Sequence, residues 1–255
     1  MVDARNTGRG SGREMIADRL PVLIVLHGHH SCPGRIGQAL RQRGHVLDVR
    51  KPRFGDVLPE TMAHHAGAVI FGGPMSANDP DDYIKTEIDW IGVPLKEEKP
   101  FLGVCLGAQM LARHLGARVS FHPEAYVEIG YYPVCPTGAG QVYGPWPDRV
   151  YHWHREGFDV PSGGVVLAEG PTFPNQAMAY GKAALAVQFH PEITYALVTR
   201  WTHDASHRLG LKGAQSREDQ LNGHLRHNAA VLSWLDAFLD QWLSPAGAQS
   251  TASGR

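Results

Sequence analysis

Cysteine is scarce in this chain: three residues in 255, at positions 32, 105 and 135. They are too few, and too unevenly spaced, for a disulfide framework or a zinc quartet, which suits a reducing, cytoplasmic setting. Net charge is scarce as well, −1 at pH 7, so no global field recruits nucleic acid or an anionic membrane. Long hydrophobic runs are missing: the longest near the start, Val22–Leu26, is far too short to cross a bilayer. Residues 1–19 are polar and rich in Arg and Gly, without the apolar core of a signal peptide. No internal repeat of solenoid period is visible. The whole chain is 43% hydrophobic, enough to bury a sizeable core in one large α/β domain.

The chain is organised around Pro100-Phe-Leu-Gly-Val-Cys-Leu-Gly-Ala-Gln109. An apolar run (Phe101, Leu102, Val104) reads as a buried strand, and Leu106, Met110, Leu111 and Leu115 then recur at helical spacing. Cys105 sits at the junction between Gly103 and Gly107. This is a nucleophile elbow, a sharp strand-to-helix turn that lifts one side chain above the sheet. Its glycines let the backbone approach neighbouring elements where a Cβ would clash. The helix N-terminus favours the anionic thiolate, and the Leu106 N–H is free to donate to an oxyanion.

Around the elbow, strands and helices alternate. Pro21–Leu26, His45–Val49 and Ala68–Phe71 read as strands, with a helix at Arg35–Arg43 ending at Gly44 and another at Tyr83–Leu95. This pattern predicts a doubly wound, mostly parallel open α/β sheet. His27-Gly-His-His30, at the end of the first strand, reads as a polar loop rather than a metal site. The third strand runs into Gly72-Gly73-Pro74, a turn that exposes backbone N–H groups at a strand's carboxyl end, where α/β sheets bind ligands. Gly73 N–H is expected to be the second oxyanion donor. After Gly116 a small β-rich insertion is expected, with strands at Arg118–Phe121, Ala125–Val134, Gln141–Tyr143 and Val150–His154. In an extended segment His152 and His154 share one face, suited to lining the site, binding a metal or facing solvent. Ser162-Gly-Gly-Val165 reads as a turn, and Leu225–Leu243 as a helix with Leu232, Leu235, Leu239 and Leu243 on its core face.

The nucleophile needs a base. Ala183–Phe189, a uniformly apolar strand, ends in His190-Pro-Glu192; two residues apart in extended chain, His and Glu point to the same side. A Cys105–His190–Glu192 relay follows, with His190 as base and acid and Glu192 orienting it. The tetrapeptide Phe-His-Pro-Glu also occurs at residues 121–124. The strand before that copy is short and half polar, so His122 is set aside.

With these pieces placed, the chain resembles the class I (triad) glutamine amidotransferases, notably the glutaminase domain of GMP synthase and its stand-alone relatives. The resemblance rests on Gly72-Gly-Pro-Met-Ser76, Pro100–Gln109, His152-Trp-His-Arg-Glu-Gly-Phe158 and Ala186-Val-Gln-Phe-His-Pro-Glu192, and spans roughly residues 20–200. It implies hydrolysis of the glutamine side-chain amide through a γ-glutamyl thioester on Cys105, with His190 and Glu192 completing the triad. Gly73 and Leu106 match the oxyanion-hole positions. Gln109 matches the residue that holds the amino-acid end of glutamine, and Gly72 and His154 are expected on the substrate side. No cofactor and no metal are expected. Met75, often Glu in GMP synthase, argues against a strict orthologue.

The domain is expected at 20–243, between flexible tails at 1–19 and 244–255, without a synthase half. The substrate is then L-glutamine with a partner synthase subunit taking the ammonia, or a γ-glutamyl conjugate cleaved by a hydrolase in its own right. A Cys-type α/β-hydrolase is disfavoured because its acid precedes its histidine by a long stretch. A non-catalytic regulatory subunit is disfavoured because all three triad residues are present.

Overall fold

The computed structural model describes residues 19–244. In chain order the first half comprises β1 (Arg19–Val25), α1 (Gly34–Gln42), β2 (His45–Arg50), β3 (Gly67–Ile70), α2 (Asp82–Trp90), α3 (Gly92–Lys96), β4 (Phe101–Val104) and α4 (Leu106–His114). Then follow β5 (Val119–Phe121), β6 (Glu128–Pro133), β7 (Cys135–Pro136), β8 (Arg149–His154), β9 (Glu156–Phe158), β10 (Gly164–Glu169), β11 (Asn175–Tyr180), β12 (Ala184–Val187), α5 (Tyr195–Asp204) and α6 (Arg217–Leu243).

Eight strands form the main sheet in the order β2-β1-β3-β4-β12-β11-β10-β7. Its first five strands are mutually parallel and the last three antiparallel. The parallel strands carry continuous apolar runs because both faces are covered. Val22, Ile24, Val69, Leu102 and Val104 pack with α1 and α6 on one side, while Leu23, Val25, Ala68, Ile70 and Phe101 pack with α2 and α4 on the other. The alternation within β1 is the two-residue period of a strand. Among the described residues, no helix is long and apolar enough to cross a membrane.

Several local expectations need correction. Only part of the β-rich segment stands apart: β5 pairs with β9 and β6 with β8, whereas β7, β10 and β11 extend the main sheet. Gln141–Tyr143 lies in a 3-10 turn, Gly140–Tyr143, not a strand. The helix expected at Tyr83–Leu95 is two, divided at Ile91, where Gly92 and Pro94 open α3. The last helix starts eight residues earlier than expected, at Arg217, capped by Ser216, whose side chain accepts from the Asp219 N–H. Its buried face is Val231, Trp234, Leu235, Phe238, Leu239 and Trp242; Leu225 is 70% exposed, and Leu232 and Leu243 are half-buried. The large aromatic side chains win the core face over the leucines. Arg19 opens β1, and the tails expected on either side fall otherwise almost wholly outside the described residues.

Candidate active site

β4 delivers its chain into α4 through a single residue, Cys105, with φ +52° and ψ −102°. This is a left-handed conformation that side chains other than glycine rarely adopt. The ladder carries the turn: Cys105 N–H donates to Val187 O at 2.8 Å. A Cβ on Gly103 would lie 2.5 Å from Gly107 O, and one on Gly107 would lie 2.1 Å from Ile70 O. Both glycines are therefore required by close backbone approach.

β12 lies parallel beside β4, Val187 opposite Val104, so the residues leaving the carboxyl ends of the two strands face one another. His190 is 4% exposed and Glu192 3%. His190 Nδ1 stands 2.7 Å from Glu192 Oε1, and the His190 N–H donates to Tyr151 O at 2.7 Å. The ring packs edge-on against Trp201. Glu192 is fixed by α1, whose Arg35 N–H donates to its carbonyl at 2.9 Å. The Cys105 side chain lies beside the His190 ring, both of them against Gly72. Burial opposes a charge on His190, but Glu192 and the Cys105 sulfur outweigh it and raise the imidazole to about 10. An imidazolium flanked by a carboxylate and a sulfur is a proton carrier beside a nucleophile.

The Gly72-Gly73 loop closes over this pair. A Cβ on Gly72 would meet His190 Cε1 at 2.7 Å and Cys105 Cβ at 3.4 Å. Beneath it the polar-loop reading of residues 27–30 fails for its first member. His29 and His30 are exposed, but His27 is fully buried, with Nδ1 3.1 Å from Gly72 O and Nε2 2.7 Å from Glu87 Oε2. Glu87, on α2, is fully buried too.

A small cavity of about 30 Å³ adjoins Cys105 and is bordered by Gly73, Leu106, Gln109, His154 and Glu156. A larger one, about 350 Å³, lies on the His190 side, walled by Phe71, Trp153, Trp201, Arg200 and Arg208. Gly73, Pro74, Trp153 and Arg208 border both. Residues 28–198 match the glutamine amidotransferase class-I family. The chain belongs to that family.

A glutamine amidotransferase-like protein of Salmonella typhimurium, YfeJ, is 29% identical over 187 residues, covering 69% of this chain and 77% of that one. The GMP synthase of Aeropyrum pernix is 30% identical over 182 residues, 70% of this chain but only 34% of the synthase. Among solved structures, a glutamine amidotransferase from Methylobacillus flagellatus superposes with a TM-score of 0.82 at 26% identity, covering 88% of this chain and 94% of that one. One from Thermotoga maritima gives 0.80 at 29% identity, covering 89% and 99%.

Sequence reasoning placed Cys105, Gly72, Gly73, Leu106, Gln109, His154, His190 and Glu192 in or beside the site of this amidotransferase, and the fold brings all eight together. Two are already engaged. The Gln109 amide nitrogen donates to Glu156 O (2.8 Å) and Gln188 Oε1 (3.2 Å); His154 Nδ1 reaches the same Glu156 carbonyl at 2.9 Å. His122 lies elsewhere, in the turn after β5, its ring against Tyr126 and Phe173, while Glu124 faces Lys212. Missed were Glu156, buried at the cavity wall with its carboxylate 3.2 Å from Asn78 Nδ2, and Arg208. Glu156 follows His154 by two in one motif and was findable; Arg208 comes from a 3-10 turn after α5 and carried no signal.

Proposed function

We propose that this amidotransferase hydrolyses the side-chain amide of L-glutamine through a γ-glutamyl thioester. The observation that carries the reading is His190, buried between the Cys105 sulfur and the Glu192 carboxylate, with Cys105 bordering one of two adjoining cavities and His190 the other. The Cys105 sulfur attacks the amide carbon, and the oxygen takes up negative charge facing the N–H groups of Gly73 and Leu106. His190, protonated and held so by Glu192, gives its proton to the departing nitrogen, and ammonia leaves. The neutral ring then takes a proton from water, whose oxygen attacks the thioester carbon; glutamate departs and Cys105 is restored. Glu156 and Gln109 hold the amino-acid end of the substrate. Where glutamine is the substrate, a partner subunit that accepts the ammonia completes the system.

A second reading is favoured by the larger cavity. Its 350 Å³ lies on the side of His190 where the leaving group departs, and it has aromatic walls and two arginines. That space suits a bulky amine, so a γ-glutamyl conjugate is the alternative substrate. Ammonia and glutamate release from glutamine, run beside cleavage of a panel of γ-glutamyl amides, decides between the two. Cys105→Ala is the blank. Conjugates cleaved fast with glutamine poor would replace the first reading by the second; turnover surviving in the Cys105→Ala protein would end both.

A further inference from the structure

Behind the cavity lie three buried side chains that the proposed chemistry does not use as acids, bases or nucleophiles. Glu128 stands opposite His154 in the β6–β8 ribbon, and His152 sits two residues before His154 on the same strand face. Glu128 and His152 are fully buried and His154 is 6% exposed. Their polar atoms converge: His152 Nδ1 lies 3.1 Å from His154 Nε2 and 3.3 Å from Glu128 Oε2, and His154 Nε2 lies 3.0 Å from that same oxygen.

The hydrogen-bond partners say where the protons are. His154 Nδ1 faces the Glu156 carbonyl at 2.9 Å, which only accepts, so Nδ1 carries the hydrogen. In the neutral ring, Nε2 then presents a bare lone pair to a carboxylate oxygen and to a second imidazole nitrogen. Gln176 Nε2 donates to Glu128 Oε2 from outside the triangle at 2.8 Å. His152 Nε2 and Glu128 Oε1 are buried without a partner. A hydrogen on His152 Nδ1 would bridge to one of the other two atoms, whereas a cation in its place engages all three.

The spacing fits such a cation. A triangle with these sides has a circumradius of about 1.8 Å, so an ion ~2.0–2.1 Å from each atom sits about 1 Å out of their plane, with metal–ligand distances normal for zinc. Two imidazoles and one carboxylate are a zinc set rather than the all-oxygen set of magnesium or calcium. The outer partners are those that orient metal ligands: a carbonyl on the far nitrogen of His154 and an amide N–H on the carboxylate.

We infer that Glu128, His152 and His154 form a binding site for one divalent transition-metal ion, zinc by preference, at the back wall of the active-site cavity. This reverses the sequence-based expectation that the chain has no metal site. The ion's role is positional. It fixes the His154 ring, and through the shared Glu156 carbonyl it fixes the Gln109 amide, setting the wall against which the substrate's amino-acid end rests. The inference does not depend on which γ-glutamyl compound is cleaved.

The test uses the full chain carrying Cys105→Ala, so that the thiol cannot compete. Zn²⁺ and Co²⁺ are titrated, bound metal is measured by mass spectrometry after desalting, and the Co²⁺ form is examined by visible and X-ray absorption. One equivalent per chain is expected, with the intense bands of four-coordinate Co²⁺ and a shell of two imidazoles and carboxylate oxygen. Adding Glu128→Gln should weaken binding by more than ~100-fold, beyond the 10–100-fold typical of losing an outer partner. Removing the exposed pair, His29→Ala with His30→Ala, should leave it unchanged. Absence of stoichiometric metal overturns the inference, as does binding that survives Glu128→Gln or vanishes with His29 and His30. If the Glu128 variant does not fold, the absorption shell of the Cys105→Ala protein decides: fewer than two imidazoles overturns the site.

Discussion

His27 Nε2 stands 2.7 Å from Glu87 Oε2, both side chains wholly out of solvent, while the other nitrogen of the same ring lies 3.1 Å from the carbonyl of Gly72. A helix on one face of the sheet thus props the loop that carries the proposed oxyanion donor. Leaving one partner of a buried hydrogen bond unsatisfied costs about 1–3 kcal/mol. Glu87→Ala is expected to lose that much in urea unfolding. At temperatures where it stays folded, its kcat should fall while KM holds near the parent value. An unchanged kcat would separate the prop from the chemistry.

Gly72→Ala tests the same loop from above. Its Cβ would fall 2.7 Å from His190 Cε1, so the imidazole must move away from Cys105. A displacement of this order removes about 10²-fold in rate. The melting temperature should change little, because the clash involves one ring and not the core.

The duplicated Phe-His-Pro-Glu segment supplies an internal control. Cys105→Ala should abolish turnover and His190→Ala should lower it by ~10²–10⁴, whereas His122→Ala should leave kcat/KM at the parent level. Initial rates of glutamate release separate the three. Loss of activity in the His122 variant with retention in the His190 variant would reverse the assignment.

The pH profile carries a sign that can be worked out. His190 is raised to about 10, and its protonated form serves the departing nitrogen, so kcat/KM should hold through neutral pH and fall on an alkaline limb. Glu192→Gln removes a charge that holds the ring protonated, and the limb should move down toward the ordinary imidazole value of ~6.5. The same shift makes a statement about stability. The contribution of His190 is complete below ~6.5, declines above it and is gone once pH passes about 10. Denaturant melts of parent and Glu192→Gln should therefore differ most at acid-to-neutral pH and converge in alkali.

What the sequence made legible follows from range. The elbow is local: strand, Gly-x-Cys-x-Gly and helix lie within ten residues, and each glycine has a nearby reason. The His190 strand was readable because a fully buried parallel strand needs an unbroken apolar run. The His27–Glu87 pair joins residues 60 apart, and nothing in the local composition of either announces burial. Likewise β10 and β11 follow a turn that was recognised, but their pairing with β12 depends on a partner decided by the whole sheet. In α6, counting leucines misled because Trp234, Phe238 and Trp242 bury more surface and take the core side.

The backbone of Cys105, held at φ +52°, implies that selection for reactivity and selection for a durable fold pull in opposite directions at one position. A residue held in so sparsely populated a region costs about 1–3 kcal/mol, and glycine is the side chain that relieves it. Cys105→Gly should melt above both the parent and Cys105→Ala, which keep a side chain on the same contorted turn. The inert chain would then outlast the active one, as expected where working chemistry and stability compete.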